Sequence, residues 1–151
     1  RVVLLVHLAE SRKEAIEQAR AGAARYQRDY FENTMGFDPV MDGPAEKIID
    51  KMVEQGSWCV GTPDDLIEAI NRLDEESGGF GGFLVQAMEF GTREQVLHSY
   101  ELLARYVMPH FQGSLTNLEA SQTWSADKRH ELVELRKKSI QRAGSDYVQR
   151  R

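Results

Sequence analysis

Four side chains at the ends of apolar runs could do chemistry in this chain: His7, Gln86, Met88 and Glu89. His7 follows Val2-Val3-Leu4-Leu5-Val6, and an imidazole there would titrate near neutral pH. The competing reading, a core histidine bonded to backbone, is the stronger of the two on sequence alone. Gln86-Ala87-Met88-Glu89-Phe90-Gly91 follows Phe83-Leu84-Val85. Glu89 would serve as a general acid or base if buried, and Met88 carries a polarizable thioether suited to packing on a flat ring. A loop with a solvated carboxylate is the alternative.

Other motifs yield to plainer readings. Gly61-Thr62 heads a helix N-terminus that could receive an anion, but Asp64 and Asp65 already bring negative charge there, so capping is favoured. Gly78-Gly79-Phe80-Gly81-Gly82 precedes a strand instead of opening a helix, which is the wrong context for a phosphate loop. Cys59 sits inside an apolar run and reads as a small buried hydrophobe. His98 and Glu101 share a helix face, yet two residues do not make a metal site, and Glu101 can pair with Arg105 at i+4. No Ser-His-Asp or Cys-His arrangement follows from spacing.

These residues need a scaffold, and Ser57 to Val85 supplies its plan. A short strand from Trp58, a helix from Pro63 to Glu76, a glycine turn and a strand from Phe83 form one βαβ unit, which requires parallel strands. Thr62 suits the N-cap and Pro63 the first helical position, while Leu66, Ile67, Ile70 and Leu73 form one apolar stripe. Upstream, Val2 to Val6 reads as a strand buried on both faces. Ala15, Ile16, Ala19, Ala23, Tyr26 and Tyr30 predict a long helix over Glu10–Phe31, and a second helix runs from Pro44 to Gln55. Downstream, Thr92 and Gln95 form a capping box, and Pro109 to Gly113 reads as a turn. A short helix over Ser114–Ala120 and a final helix capped by Ser125 close the chain. The fold class is α/β. Three parallel apolar strands are few, so they read as part of a larger sheet whose other strands lie N-terminal; the start at Arg1 without Met fits a piece of something longer.

Composition is that of a globular protein, 41% hydrophobic and 28% charged. No apolar run approaches the roughly 18 residues needed to span a bilayer, and a single cysteine fits a reducing, cytoplasmic setting. The net charge of −5 argues against nucleic acid as a partner. Charge is uneven: Ser125 to Arg151 carries +4, which leaves −9 for residues 1–124. A solvated basic helix face is the favoured reading of that tail.

Three stretches in order resemble the bacterial-luciferase-like family of flavin-dependent monooxygenases, in its limonene- or alkanal-monooxygenase-like branch. They are Trp58-Cys59-Val60-Gly61-Thr62-Pro63-Asp64-Asp65, Gly78-Gly79-Phe80-Gly81-Gly82-Phe83-Leu84, and Ser99 to Phe111 with its Tyr106-Val107-Met108-Pro109-His110-Phe111 end. The resemblance implies the C-terminal portion of a TIM (β/α)8 barrel, about three βα units over residues 1–113, with a helical extension over 114–151. Its sixth, seventh and eighth strands would start at Val2, Trp58 and Phe83. It implies reduced FMN supplied by a separate flavin reductase, O2, a small apolar organic substrate and a homo-oligomer without membrane or nucleic-acid partners. Functional groups would then sit at the carboxyl ends of the strands. Glu89 and His7 are the catalytic candidates, and Gln86 and Met88 the cofactor-binding ones. The alternatives are an F420-dependent hydride transferase of the same fold, whose acidic cofactor would want Lys or Arg in loops that contain neither, and a non-catalytic subunit or interaction module. Most of the family's flavin-holding residues lie on strands absent here, so this piece alone is expected to be inactive.

Overall fold

The computed structural model describes residues 1–149. Strand β1 (Val2–Leu8) leads into helix α1 (Arg12–Ala24), which continues with π-helical bonding through Arg25–Thr34. A short turn (Ala45–Lys47) opens α2 (Ile48–Glu54), followed by β2 (Trp58–Gly61), α3 (Pro63–Ser77) and β3 (Phe83–Gln86). Helix α4 (Arg93–Leu102) passes through a π-helical stretch (Leu103–Val107) into α5 (Met108–Gln112). Two further helices, α6 (Thr116–Asp127) and α7 (Arg129–Gln149), complete the described chain.

The three strands are parallel, and β1 lies in the middle, paired with β2 on one side and β3 on the other. This order, β2-β1-β3, differs from the consecutive order expected of neighbouring barrel strands. The physical reason is cover. Each strand is apolar on both faces, and three strands alone cannot close on themselves to hide one of those faces. Helices therefore cover both. Leu5, Trp58 and Val60 pack with Ala15, Ala19, Ala23, Ile48 and Ile49 of α1 and α2. On the opposite face Leu4, Val6, Leu8 and Cys59 pack with Leu66 and Ile70 of α3 and with Leu102 and Val107 beyond it. Cover stops short at the amino ends, where the register pair Val3 and Leu84 is 56% and 51% exposed. The expectation that Val2 to Val6 is buried throughout is corrected there, because α1 and α2 reach only Leu5 and the neighbouring β2 side chains.

Local chemistry sets the helix ends. Asp65 accepts from the Thr62 N–H at 2.8 Å while its own N–H donates to Thr62 Oγ1 at 3.3 Å, closing a capping box, and Gly78 ends α3 in the left-handed region at φ 73°. Asp65 also pairs with the Arg12 guanidinium, which ties the start of α1 to the start of α3. Burial raises the Asp65 carboxyl, but hydrogen bonds from Arg12 and Thr62 outweigh it and hold the group below its ordinary 3.8. The expected box at Thr92 and Gln95 forms as well.

Two expectations downstream are corrected. Pro109 to Gln112 is helical and not a turn: the helix runs on from the π-helical stretch Leu103–Val107, whose altered bonding accommodates a residue without an N–H. Ser125 lies inside α6 and caps nothing; α7 starts at Arg129. Contacts divide the chain into units Arg1–Gln112 and Gly113–Arg151. In the second unit no described side chain is buried, and Leu118, Trp124, Ile140 and Tyr147 are exposed.

Gly22 lets α1 lie on the Phe90 backbone: a Cβ there would meet the Phe90 carbonyl oxygen at 2.2 Å. Alanine improves an exposed helix interior by about 1 kcal/mol over glycine. Gly22→Ala is nonetheless expected to lower Tm, whereas Gly144→Ala, with open space around it, raises or preserves it. Thermal melts of both variants check this. The depressed Asp65 carboxyl contributes stability that is complete above pH 3.8 and is lost as pH falls below it toward the folded value. Urea unfolding of Asp65→Asn across acid pH should show that part of the dependence gone.

Candidate functional site

The parallel sheet brings the ends of β1, β2 and β3 to one side, so His7, Gly61 and Gln86 share an edge. His7, on the middle strand, is 2% exposed. Its Nε2 lies 3.0 Å from Gln18 Oε1, and the Gln18 amide nitrogen donates to Glu14 Oε1 at 2.9 Å. Burial pushes the His7 imidazole below its ordinary value, and the Gln18 bond opposes that only in part. The next residue, Leu8, donates its N–H to the buried Ser99 hydroxyl at 2.8 Å, which fastens α4 to the end of β1. With Met88, Ser99 and Tyr100, His7 lines a cavity of about 10 Å3, room for one water at most.

On β3 the Gln86 amide nitrogen donates to the Tyr26 hydroxyl at 3.2 Å and lies 3.9 Å from Met88 Sδ. Tyr26 is the hub of an aromatic cluster. Its ring centroid stands 5.0 Å from Phe31, 5.7 Å from Phe90 and 6.3 Å from Trp58. Met88 packs against this cluster's core. Glu89 is exposed, so the burial that its acid–base role requires is absent. Three of the four candidates thus gather at the strand ends, and Glu89 points to solvent beside them.

Tyr26, Gln18 and Ser99 were missed as site residues by sequence reasoning. Tyr26 counted only as one member of an apolar stripe. No sequence signal sets it apart; the structure puts it second in the π-helical stretch, with its hydroxyl within reach of Gln86. Gln18 and Ser99 sit on the inward sides of their helices, one helical step from buried Ala15 and Leu102, where a polar residue needs a partner.

The helix N-terminus beyond β2 is filled by its own capping box, as the capping reading expected, and Arg12 pairs with the Asp65 of that box. Cys59 is buried and its thiol pushed up to about 12, chiefly by burial, which excludes a thiolate. His98 bridges Glu10 at 3.2 Å and Glu101 at 3.6 Å, and Glu101 also pairs with Arg105 at 2.9 Å. Among the described residues no group of three or more His, Cys, Asp or Glu could hold a metal ion, and no helix is long and apolar enough to cross a membrane. A larger cavity of about 760 Å3 lies at the other end of β3, lined by Ile70, Asp74, Phe80, Phe83, Val107 and Phe111.

No family profile matches the chain. It is 37% identical over 129 residues to a 4-hydroxyprotoasukamycin monooxygenase of Streptomyces nodosus subsp. asukaensis, covering 85% of this chain and 34% of that protein. It is 39% identical over 112 residues to a limonene 1,2-monooxygenase of Rhodococcus erythropolis, covering 74% of this chain and 28% of that one. A solved structure, the oxygenating constituent of 3,6-diketocamphane monooxygenase from Pseudomonas putida in complex with FMN, matches with a TM-score of 0.52 at 27% identity. That match covers 71% of this chain and 32% of the solved one. The chain spans about a third of the length of the curated relatives it matches. Over that stretch the chain is similar to monooxygenases, one of them solved with FMN bound.

Proposed function

We propose that this chain is the C-terminal part of an FMN-dependent monooxygenase that oxygenates a small apolar organic compound. The observation that carries the reading is the 37% identity to a monooxygenase over 85% of the chain, joined by the likeness to a structure bound to FMN. In the longer protein the three strands would be the last of a (β/α)8 barrel, with residues 114–151 as a helical extension. The open outer edges of β2 and β3 are where further strands of the longer protein would pair.

The residues at the strand ends fit one side of FMN. Met88 and the half-buried Tyr26 ring, backed from the core by Trp58 and Phe90, suit an aromatic ring, and the Gln86 amide with the Tyr26 hydroxyl suits its polar edge. They do not fit the phosphate, since the nearby cation Arg12 is already paired with Asp65. That seat belongs to strands outside this chain. When bound, reduced FMN from a reductase reacts with O2 to give one oxygen atom to the substrate and the other to water. The chain's part is to orient the ring and to keep water from it. His7 would meet a ligand through Nδ1, its other nitrogen being taken by Gln18. Glu89, if it takes part, acts from a solvated position. The F420 reading is weakened because residues 7–10, 61–64 and 86–90 hold no Lys or Arg for an acidic cofactor tail.

The test uses the longer protein that contains this chain, supplied with photoreduced FMN, isotopically heavy O2 and limonene as an apolar probe. One heavy oxygen atom in the product supports the reading; FMN reoxidation with no labelled product from a panel of such probes, or turnover with reduced F420 alone, contradicts it. In the same protein Gln86→Ala and Tyr26→Phe should each weaken FMN binding about tenfold, about 1.4 kcal/mol, by fluorescence titration.

A further inference from the structure

We propose that Glu14 and Gln18 are positioning residues that hold His7 as a neutral imidazole with its hydrogen on Nε2, leaving Nδ1 as the acceptor of the ring. The inference follows from what each partner can do. A carboxylate only accepts, so the Gln18 group 2.9 Å from Glu14 Oε1 is its NH2. The amide oxygen then faces His7, 3.0 Å from Nε2, and an oxygen there requires a donor. The hydrogen is therefore on Nε2, and the lone pair of the neutral ring is on Nδ1. Burial of His7 at 2% exposure disfavours a second proton.

The three residues are placed for this by α1 itself. Glu14 and Gln18 are one helical step apart at i and i+4, so they stack on one side of the helix. Gln18 is half-buried above the end of β1, and Glu14 is exposed. An exposed acceptor thus reads through one amide onto a buried ring on the central strand. The consequence for the site is a definite polarity: His7 offers an acceptor and not an acidic proton. The proposal deepens the monooxygenase reading and rests on it for the role of the ring. Its test reads the ring nitrogens and not turnover, so the two can fail separately.

The experiment is nitrogen-15 NMR of the chain labelled at histidine, in which the exposed or half-exposed His98, His110 and His130 serve as references. For His7 the expected result is a pyrrole-like Nε2 whose proton is protected from water exchange and a pyridine-like Nδ1. Glu14→Gln, isosteric and on the exposed side of α1, lets the Gln18 amide turn over; the protected proton is then lost and the Nδ1–H form becomes detectable. Gln18→Glu keeps the Nε2–H form, because a carboxylate can only accept. A hydrogen on Nδ1 in the unaltered chain overturns the proposal. So does a His7 ring proton exchanging as fast as those of the reference histidines, or a Glu14→Gln spectrum identical to the parent's.

Discussion

Everything in the first unit answers to one constraint: β1 is apolar on both faces and hydrogen-bonded on both edges, so it must be enclosed on four sides. Leu4, Leu5, Val6 and Leu8 are each at most 6% exposed. Burying one such side chain contributes about 1.5–3 kcal/mol, and the strand carries four in a row of five. A strand with that much to hide takes the centre. The shorter β2 and β3 take the flanks, where half of their backbone groups face outward. The helices then divide between the faces, α1 and α2 on one and α3 with the end of α4 on the other.

The candidate site inherits its character from this arrangement. A side chain at the end of the enclosed strand is buried, as His7 is, and its polar atoms must find partners within reach of α1. A side chain at the end of the flanking β3 is half outside, so Gln86 reaches across to Tyr26 and retains free hydrogen-bonding capacity. Glu89, one turn further from the sheet, has no enclosure at all. Burial therefore grades the three positions from the middle strand outward. Ser99 and Gln18 are polar residues that this enclosure draws inward from the covering helices, one to satisfy the Leu8 N–H and one to meet the His7 ring.

Much of this was legible in the chain's residues. The parallel direction of the strands followed from the helix between Trp58 and Phe83, and the helix starts at Thr62 and Thr92 followed from their caps, because those signals are local. Strand order was not legible. Apolar runs state that both faces need cover, but they do not state whether strands or helices provide it. The helix was legible through Phe31; what stayed hidden was its π-helical bonding over Arg25–Thr34, which shifts the side-chain period away from 3.6. Pro109 read as a break because the residues before it, Leu103–Val107, do not announce the change in bonding that admits a proline. Glu89 could be named as a titratable group at a strand end, yet its exposure depends on how far the loop stands from α1, which is a tertiary property.

The central position of β1 is most directly tested by interstrand proton contacts in the NMR spectrum of the 151-residue chain. The account predicts contacts from β1 to both neighbours, Val6 with Cys59 and Leu4 with Val85. Contacts between β3 and β2, with none between β3 and β1, would contradict it.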